Sequence, residues 1–191
     1  DAPYTYAGAN GKSVSNYDKR YRGFTTLREA ITDSINIVTV KTLAQVGVSL
    51  GWQYVQEYGF TTVDSRDMNE ALALGGITQG VSNLELTAAY AAIANQGTYI
   101  KPKFYTKILD HDGNVLIDNT TPESHTVIKD TTAWLLTSAM EDVMTSGTGT
   151  SAYFGISMAQ AGKSGTTTSS RDALFAGYTP YYTCAVWGGY D

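Results

Sequence analysis

With 191 residues, 42% of them hydrophobic and 16% charged, the chain has enough apolar surface to bury a core and offset its conformational entropy, which argues against a disordered tail or several independent domains. Lysines and arginines number 13 against 18 acidic residues, for a formal charge of −5, and the cations are scattered, which argues against a nucleic-acid surface. The single cysteine, Cys184, cannot form an internal disulfide, and the longest apolar runs fall far short of the roughly 20 residues of a membrane span.

Residues 1 to 24, rich in Gly, Asn, Ser and Tyr without a sustained period, read as extended loop wrapping a larger body. At Thr26 a capping box with Glu29 opens a helix, since Leu27, Ala30 and Ile31 follow at helical spacing. Asp33, Ser34 and Asn36 compete for backbone hydrogen bonds and predict a break between two helices, after which the spacing resumes to Gly47. Ser49 to Tyr58 reads as a further short helix closed by Gly59.

A second capping box, Ser82 with Glu85, opens the helix LELTAAYAAIANQ, which Gly97 ends. Tyr99 to Leu109 is strand-like, and the turn DHDGN joins it to VLI as a hairpin. Asp130 is expected to cap an amphipathic helix reaching Met144, with Trp134, Leu135, Ala139, Met140 and Val143 as its buried stripe, and TSGTGTS breaks it. AQAGKSGTTT, ALFAGY and YYTCAVWGGY are strand candidates, the last two separated by a turn at Thr179 and Pro180. Helices first and antiparallel strands last predict an α+β domain.

Two short motifs carry the chemistry: Ser34-Ile35-Asn36 at the helix break and Lys163-Ser164-Gly165-Thr166 on a strand. Each alone is weak, because an SxN triplet usually marks a cap or turn. Their order and setting are more specific. YRGFTTLREAITDSINIVTVKTLAQVG resembles the SxN region of class A penicillin-binding proteins, ALGGITQGVSNLELTAAYAAIANQGTYIKP resembles the stretch after it, and GTGTS followed by AGKSGTTTSSRDALFAGYTP resembles the KTG region.

The resemblance covers nearly the whole chain from Tyr21 onward. It implies a serine β-lactamase/D,D-peptidase-like α+β fold, an antiparallel sheet flanked by helices. Residues 1–191 then form the C-terminal part of one transpeptidase domain. The first motif of that family, Ser-x-x-Lys, has no match in the chain; Thr98 to Lys101 and Thr126 to Lys129 share only its spacing. The nucleophile is therefore expected upstream, on a segment acting as a partner to this one, with a further strand and helix expected downstream.

By resemblance the activity is peptidoglycan D,D-transpeptidation through a serine acyl-enzyme, with β-lactams trapped at the acyl stage. Lys163 is expected to supply positive charge near the substrate carboxylate and Ser34. Ser34 is expected to relay a proton to the leaving amine, and Asn36 to hydrogen-bond the substrate backbone and help orient the missing lysine. Ser164 and Thr166, two apart on a strand, share a face and are expected to reach the terminal carboxylate. Gly165 is expected to let an extended peptide approach the strand edge, with the Thr166 N–H as one oxyanion donor. Partners are stem peptides ending in D-Ala-D-Ala and β-lactam antibiotics. No cofactor, metal or nucleic acid is implied, and the family places the parent protein outside the cytoplasm, with membrane contact only through an anchor absent from this chain.

Other readings are weaker. Ser157 to Ser164 nearly fits a phosphate loop, but its first position is serine and no helix start follows. Asp110, Asp112 and Gly113 lack the later ligands of a calcium loop, and His111 and His125 are isolated. A β-lactam hydrolase of the same fold would place a general-base carboxylate in an ExxxN arrangement, which Glu70 in EALAL does not match. A non-catalytic β-lactam sensor is compatible with both motifs.

Overall fold

A computed structural model of the protein describes residues 1–7 and 12–190. In chain order the elements are β1 (Tyr4–Thr5), β2 (Ser13–Val14), α1 (Leu27–Thr32), α2 (Asn36–Val46), α3 (Val48–Glu57), α4 (Asn83–Ala94), β3 (Thr98–Ile100), β4 (Lys107–Leu109), β5 (Val115–Asp118), β6 (Ser124–Thr126), α5 (Asp130–Thr145), β7 (Ala161–Thr166), β8 (Asp172–Tyr178) and β9 (Thr183–Gly189). Short 3-10 turns at Ser65–Asp67 and Glu70–Leu74 lie between α3 and α4. The α+β architecture expected from the element order is present, and no helix of the described residues is long and apolar enough to cross a membrane.

Local chemistry sets the helix starts. Thr26 and Glu29 close a reciprocal capping box at α1, and Ser82 and Glu85 do the same at α4. Each box satisfies orphan N–H groups of the first turn at both of its members, which is worth about 1 kcal/mol per cap. Gly47 and Gly59, expected to end α2 and α3, both have positive φ.

Three structural details differ from the expectations. The strand expected over Tyr99 to Leu109 divides: β3 pairs with β6, and only β4 joins β5 in the hairpin. Pro102, which has no N–H to give a ladder, lies between the two. Asp130 is the first residue of α5 rather than its cap, and its carboxylate accepts from the Thr131 N–H at 2.7 Å. The buried stripe of α5 is Ala133, Ala139, Met140, Val143 and Met144, whereas Trp134 is 67% and Leu135 59% exposed. One turn of the helix cannot bury Ala133 and its next neighbours together, and the small residue is the one that packs.

The three-stranded antiparallel sheet runs β7-β8-β9, so β7 is an edge strand paired on one side only among the described residues. Its register runs from Ala161 opposite Tyr178 to Thr166 opposite Ala173. Ala161 and Tyr178 pack against Met140 of α5, with Tyr90, Ile93 and Leu136 around them. Strand alternation puts Lys163 and Gly165 on that helix-facing side and Ser164 and Thr166 on the opposite one. A second core of Val14, Ile37 and Val40 anchors α2, and burying each such side chain stabilises by about 1.5–3 kcal/mol.

Candidate active site

Ser34 owes its position to the way α1 ends. The Ile35 N–H donates to the Ala30 carbonyl at 2.9 Å and the Ser34 N–H to the Ile31 carbonyl at 3.3 Å, the paired 6→1 and 5→2 bonds of a Schellman motif. The residue at the left-handed position of that motif is usually glycine, yet here it is Ser34, with φ 55°. A β-carbon in this conformation is strained. Serine at a glycine position is the kind of local cost that marks a functional side chain.

The next residue starts the following helix. Ile35 occupies the cap position of α2 and has no side chain able to cap it. The cap comes instead from a distant segment: Asn16, 3% exposed, accepts from the Ile37 N–H through Oδ1 at 3.2 Å. Its Nδ2 donates to the Arg20 carbonyl at 2.7 Å and to both oxygens of Asp1. Asn36 Nδ2 donates to the Ser15 carbonyl at 3.0 Å. The segment expected to be loop thus forms the β1–β2 pair and clamps the start of α2 directly behind Ser34.

Lys163 Nζ donates to Ser34 Oγ at 2.8 Å and to the Ser164 carbonyl at 3.0 Å. No carboxylate of the described residues pairs with this ammonium. Burial alone holds its pKa below the usual lysine value of 10.5, since desolvation disfavours the charged form. Among the described residues its acceptors are neutral oxygens, so the charge of its ammonium form has no counter-charge there.

Ser164 points to the other side of the strand, where its Oγ donates to Thr148 Oγ1 at 3.0 Å. Gly165 requires no glycine for packing: a β-carbon there would meet Leu174 at 3.7 Å, an ordinary contact, and φ is not positive. Its missing side chain leaves the strand edge clear. Thr166 is exposed at the end of β7. The structure therefore brings Ser34 to Lys163 and aligns Ser164, Gly165 and Thr166 on the open edge strand. Asn36, two residues after Ser34, is the first residue of α2, and its amide nitrogen is engaged by the Ser15 carbonyl.

The competing motifs have other local roles. Lys163 and Ser164 lie in a strand, not in a loop leading to a helix. Asp110 Oδ1 accepts from the N–H groups of Asp112 at 2.9 Å and Asn114 at 2.8 Å, bracing the hairpin turn. His125 Nε2 bonds the Glu57 carbonyl at 2.8 Å and its ring tilts against Tyr99. The Glu70 carboxylate is buried and accepts from Tyr4 Oη at 3.0 Å and the Ala7 N–H at 3.1 Å, which commits it to the front of the chain.

Two residues of the site escaped sequence reasoning, Asn16 and Thr148. The first carried no signal. The second lies in TSGTGTS, which reads as a helix end and as part of the stretch resembling the KTG region, with no role given to Thr148.

The family model described as the penicillin binding protein transpeptidase domain matches residues 1–188. The chain is 41% identical over 182 residues to penicillin-binding protein 1F of Bacillus subtilis, covering 92% of this chain and 25% of that protein. It is 37% identical over 177 residues to penicillin-binding protein 1A of Clostridium perfringens, covering 90% of this chain and 26% of that one. The chain thus spans about a quarter of the length of these curated relatives. Among solved structures, penicillin-binding protein 1A from Haemophilus influenzae superposes with a TM-score of 0.87 at 25% identity, over 100% of this chain and 34% of that one. The PonA1 protein from Mycobacterium tuberculosis, solved in complex with penicillin V, superposes at 0.79 and 23% identity, over 98% of this chain and 52% of that one.

Proposed function

Because the chain belongs to the penicillin-binding protein transpeptidase family, we propose that it supplies the SxN and KSG walls of a peptidoglycan D,D-transpeptidase site, completed by a serine nucleophile outside these 191 residues. The observation that carries the reading is the 2.8 Å bond from Lys163 Nζ to Ser34 Oγ, made by an ammonium with no carboxylate partner among the described residues.

In this reading the nucleophilic oxygen bonds to the carbonyl carbon of the penultimate D-alanine, and the C–N bond to the terminal D-alanine breaks. Ser34 Oγ–H passes its proton to the departing amine and takes up in return the proton released by the nucleophilic hydroxyl, and Lys163 keeps the Ser34 hydroxyl in place. The hydroxyls of Ser164 and Thr166, on one face of β7, receive the terminal carboxylate, with Lys163 lending its positive charge from the other face; a hydrogen bond to a charged group contributes about 1.5–3 kcal/mol. The Thr166 N–H is one oxyanion donor, a role whose loss costs roughly 10²–10³ in rate. Gly165 admits the extended peptide to the β7 edge, and Asn36 hydrogen-bonds its backbone. The acyl group then passes to an amine of a neighbouring stem peptide.

A β-lactam follows the same first step, but its leaving nitrogen stays tethered to the acyl group, so the adduct persists. Rapid hydrolysis of that adduct would need a base. Glu70, held by Tyr4 and Ala7, is not offered for it. In the same reading the parent protein acts outside the cytoplasm, at the membrane.

The test is intact-mass analysis of the protein carrying this chain together with the nucleophile-bearing segment, after exposure to benzylpenicillin. One long-lived adduct per chain, on a serine followed three residues later by lysine, is expected. An unmodified protein, or turnover to free penicilloate without an accumulating adduct, sinks the reading.

A further inference from the structure

Thr148 is held with unusual firmness for an exposed loop residue. It sits between Gly147 and Gly149, just after α5. Its N–H donates to the Thr32 carbonyl at 3.2 Å, two residues before Ser34, and the Gly149 N–H donates to the Val143 carbonyl at 2.9 Å. A β-carbon at Gly147 would lie 2.3 Å from the Thr32 carbonyl oxygen, so the loop approaches the end of α1 as closely as backbone allows. From there Thr148 Oγ1 meets Ser164 Oγ at 3.0 Å. One residue thus joins the end of the helix that presents Ser34 to the strand that presents Lys163.

We propose that Thr148 is a positioning residue for substrate binding, orienting the Ser164 hydroxyl so that its proton faces the carboxylate of the incoming peptide or β-lactam. The inference rests on the reading above that Ser164 meets that carboxylate. A serine hydroxyl has one proton and two lone pairs, and a carboxylate only accepts. In the structure Ser164 directs its proton to Thr148, an arrangement that cannot serve an anion. When the carboxylate arrives, the Ser164 proton turns to it and the lone pair left behind accepts the Thr148 proton. The chain Thr148 O–H to Ser164 O–H to carboxylate then runs in one direction, each bond polarising the next. Threonine suits the task because its branched β-carbon restricts χ1 and holds the hydroxyl in place.

The test compares Thr148→Val, which keeps the shape and removes the hydroxyl, with Thr148→Ser, which restores it, and with Ser164→Ala, all in the protein carrying the nucleophile-bearing segment. Acylation rates are measured with benzylpenicillin and with its methyl ester, which lacks the anionic oxygen. Thr148→Val is expected to slow the free acid about three- to tenfold, the effect of one lost hydrogen bond, to leave the ester within about twofold, and to be rescued by Thr148→Ser. This difference between acid and ester is independent of any general loss of folding. If Ser164→Ala discriminates acid from ester and Thr148→Val does not, the role of Thr148 is overturned while carboxylate recognition by Ser164 stands. If Ser164→Ala slows both agents equally, the underlying carboxylate reading falls and the proposal with it.

Discussion

Lys163 Nζ reaches Ser34 Oγ at 2.8 Å across 129 residues of sequence. The hydroxyl it meets is held in a left-handed backbone conformation at φ 55°. The strand supplies the charge, and the helix end supplies the strained hydroxyl. Several consequences are measurable in the protein that carries this chain and its nucleophile.

The Lys163 charge should give opposite pH trends for stability and activity. Burial lowers its folded-state pKa below 10.5, so between the two values the unfolded chain binds more protons and stability rises with pH. Below the folded value the cost of burying the charge is constant. Activity needs the protonated form and should fall through the same window. The melting temperature of wild type relative to Lys163→Met should therefore rise with pH towards 10.5 while wild-type acylation declines. Lys163→Met itself should acylate about ten- to 150-fold more slowly, the equivalent of one charged hydrogen bond.

Ser34 separates strain from chemistry. Ser34→Ala and Ser34→Gly both remove the hydroxyl and should both slow acylation severely. Only glycine relieves the positive φ, so Ser34→Gly should be more stable than Ser34→Ala by about 1 kcal/mol. Equal melting temperatures for the two variants would contradict the assigned geometry.

Gly165→Ala should show stability and function moving apart. Its β-carbon would find ordinary contact with Leu174, and the loss of unfolded-state freedom should stabilise the protein by about 0.4–1 kcal/mol. The same methyl intrudes on the open β7 edge, so acylation should fall about tenfold or more, as expected when a substrate is displaced from its attack geometry. Unchanged acylation would remove the β7 edge from the site.

Asn16→Ala should leave the buried Ile37 N–H unpaired and cost about 1–3 kcal/mol by denaturant titration. Asn16→Asp keeps an acceptor for that N–H but sets a carboxylate beside Asp1, so it should recover only part of the loss.

Much of this was legible in the sequence because the signals were local. The two capping boxes, the break around Ser34 and the closing glycines each act over a few residues. The alternation that puts Lys163 on one side of β7 and Ser164 on the other follows from strand geometry alone. What could not be read was set by packing at long range. The Asn16 cap of α2 spans 21 residues, and the Thr148 contact depends on how the loop after α5 meets both α1 and β7. Trp134 and Leu135 misled because bulk is a poor guide to which residues of a helix pack, and the smaller Ala133 occupies the contact.

The most direct check is a double-mutant cycle on Ser34 and Lys163, with Ser34→Ala, Lys163→Met and both together, reading the second-order rate of acylation by benzylpenicillin. Groups that act as one unit are non-additive, so the double variant should be little slower than the slower single variant. Losses that simply multiply would mean that the hydroxyl and the ammonium act independently, against the joint role assigned to them.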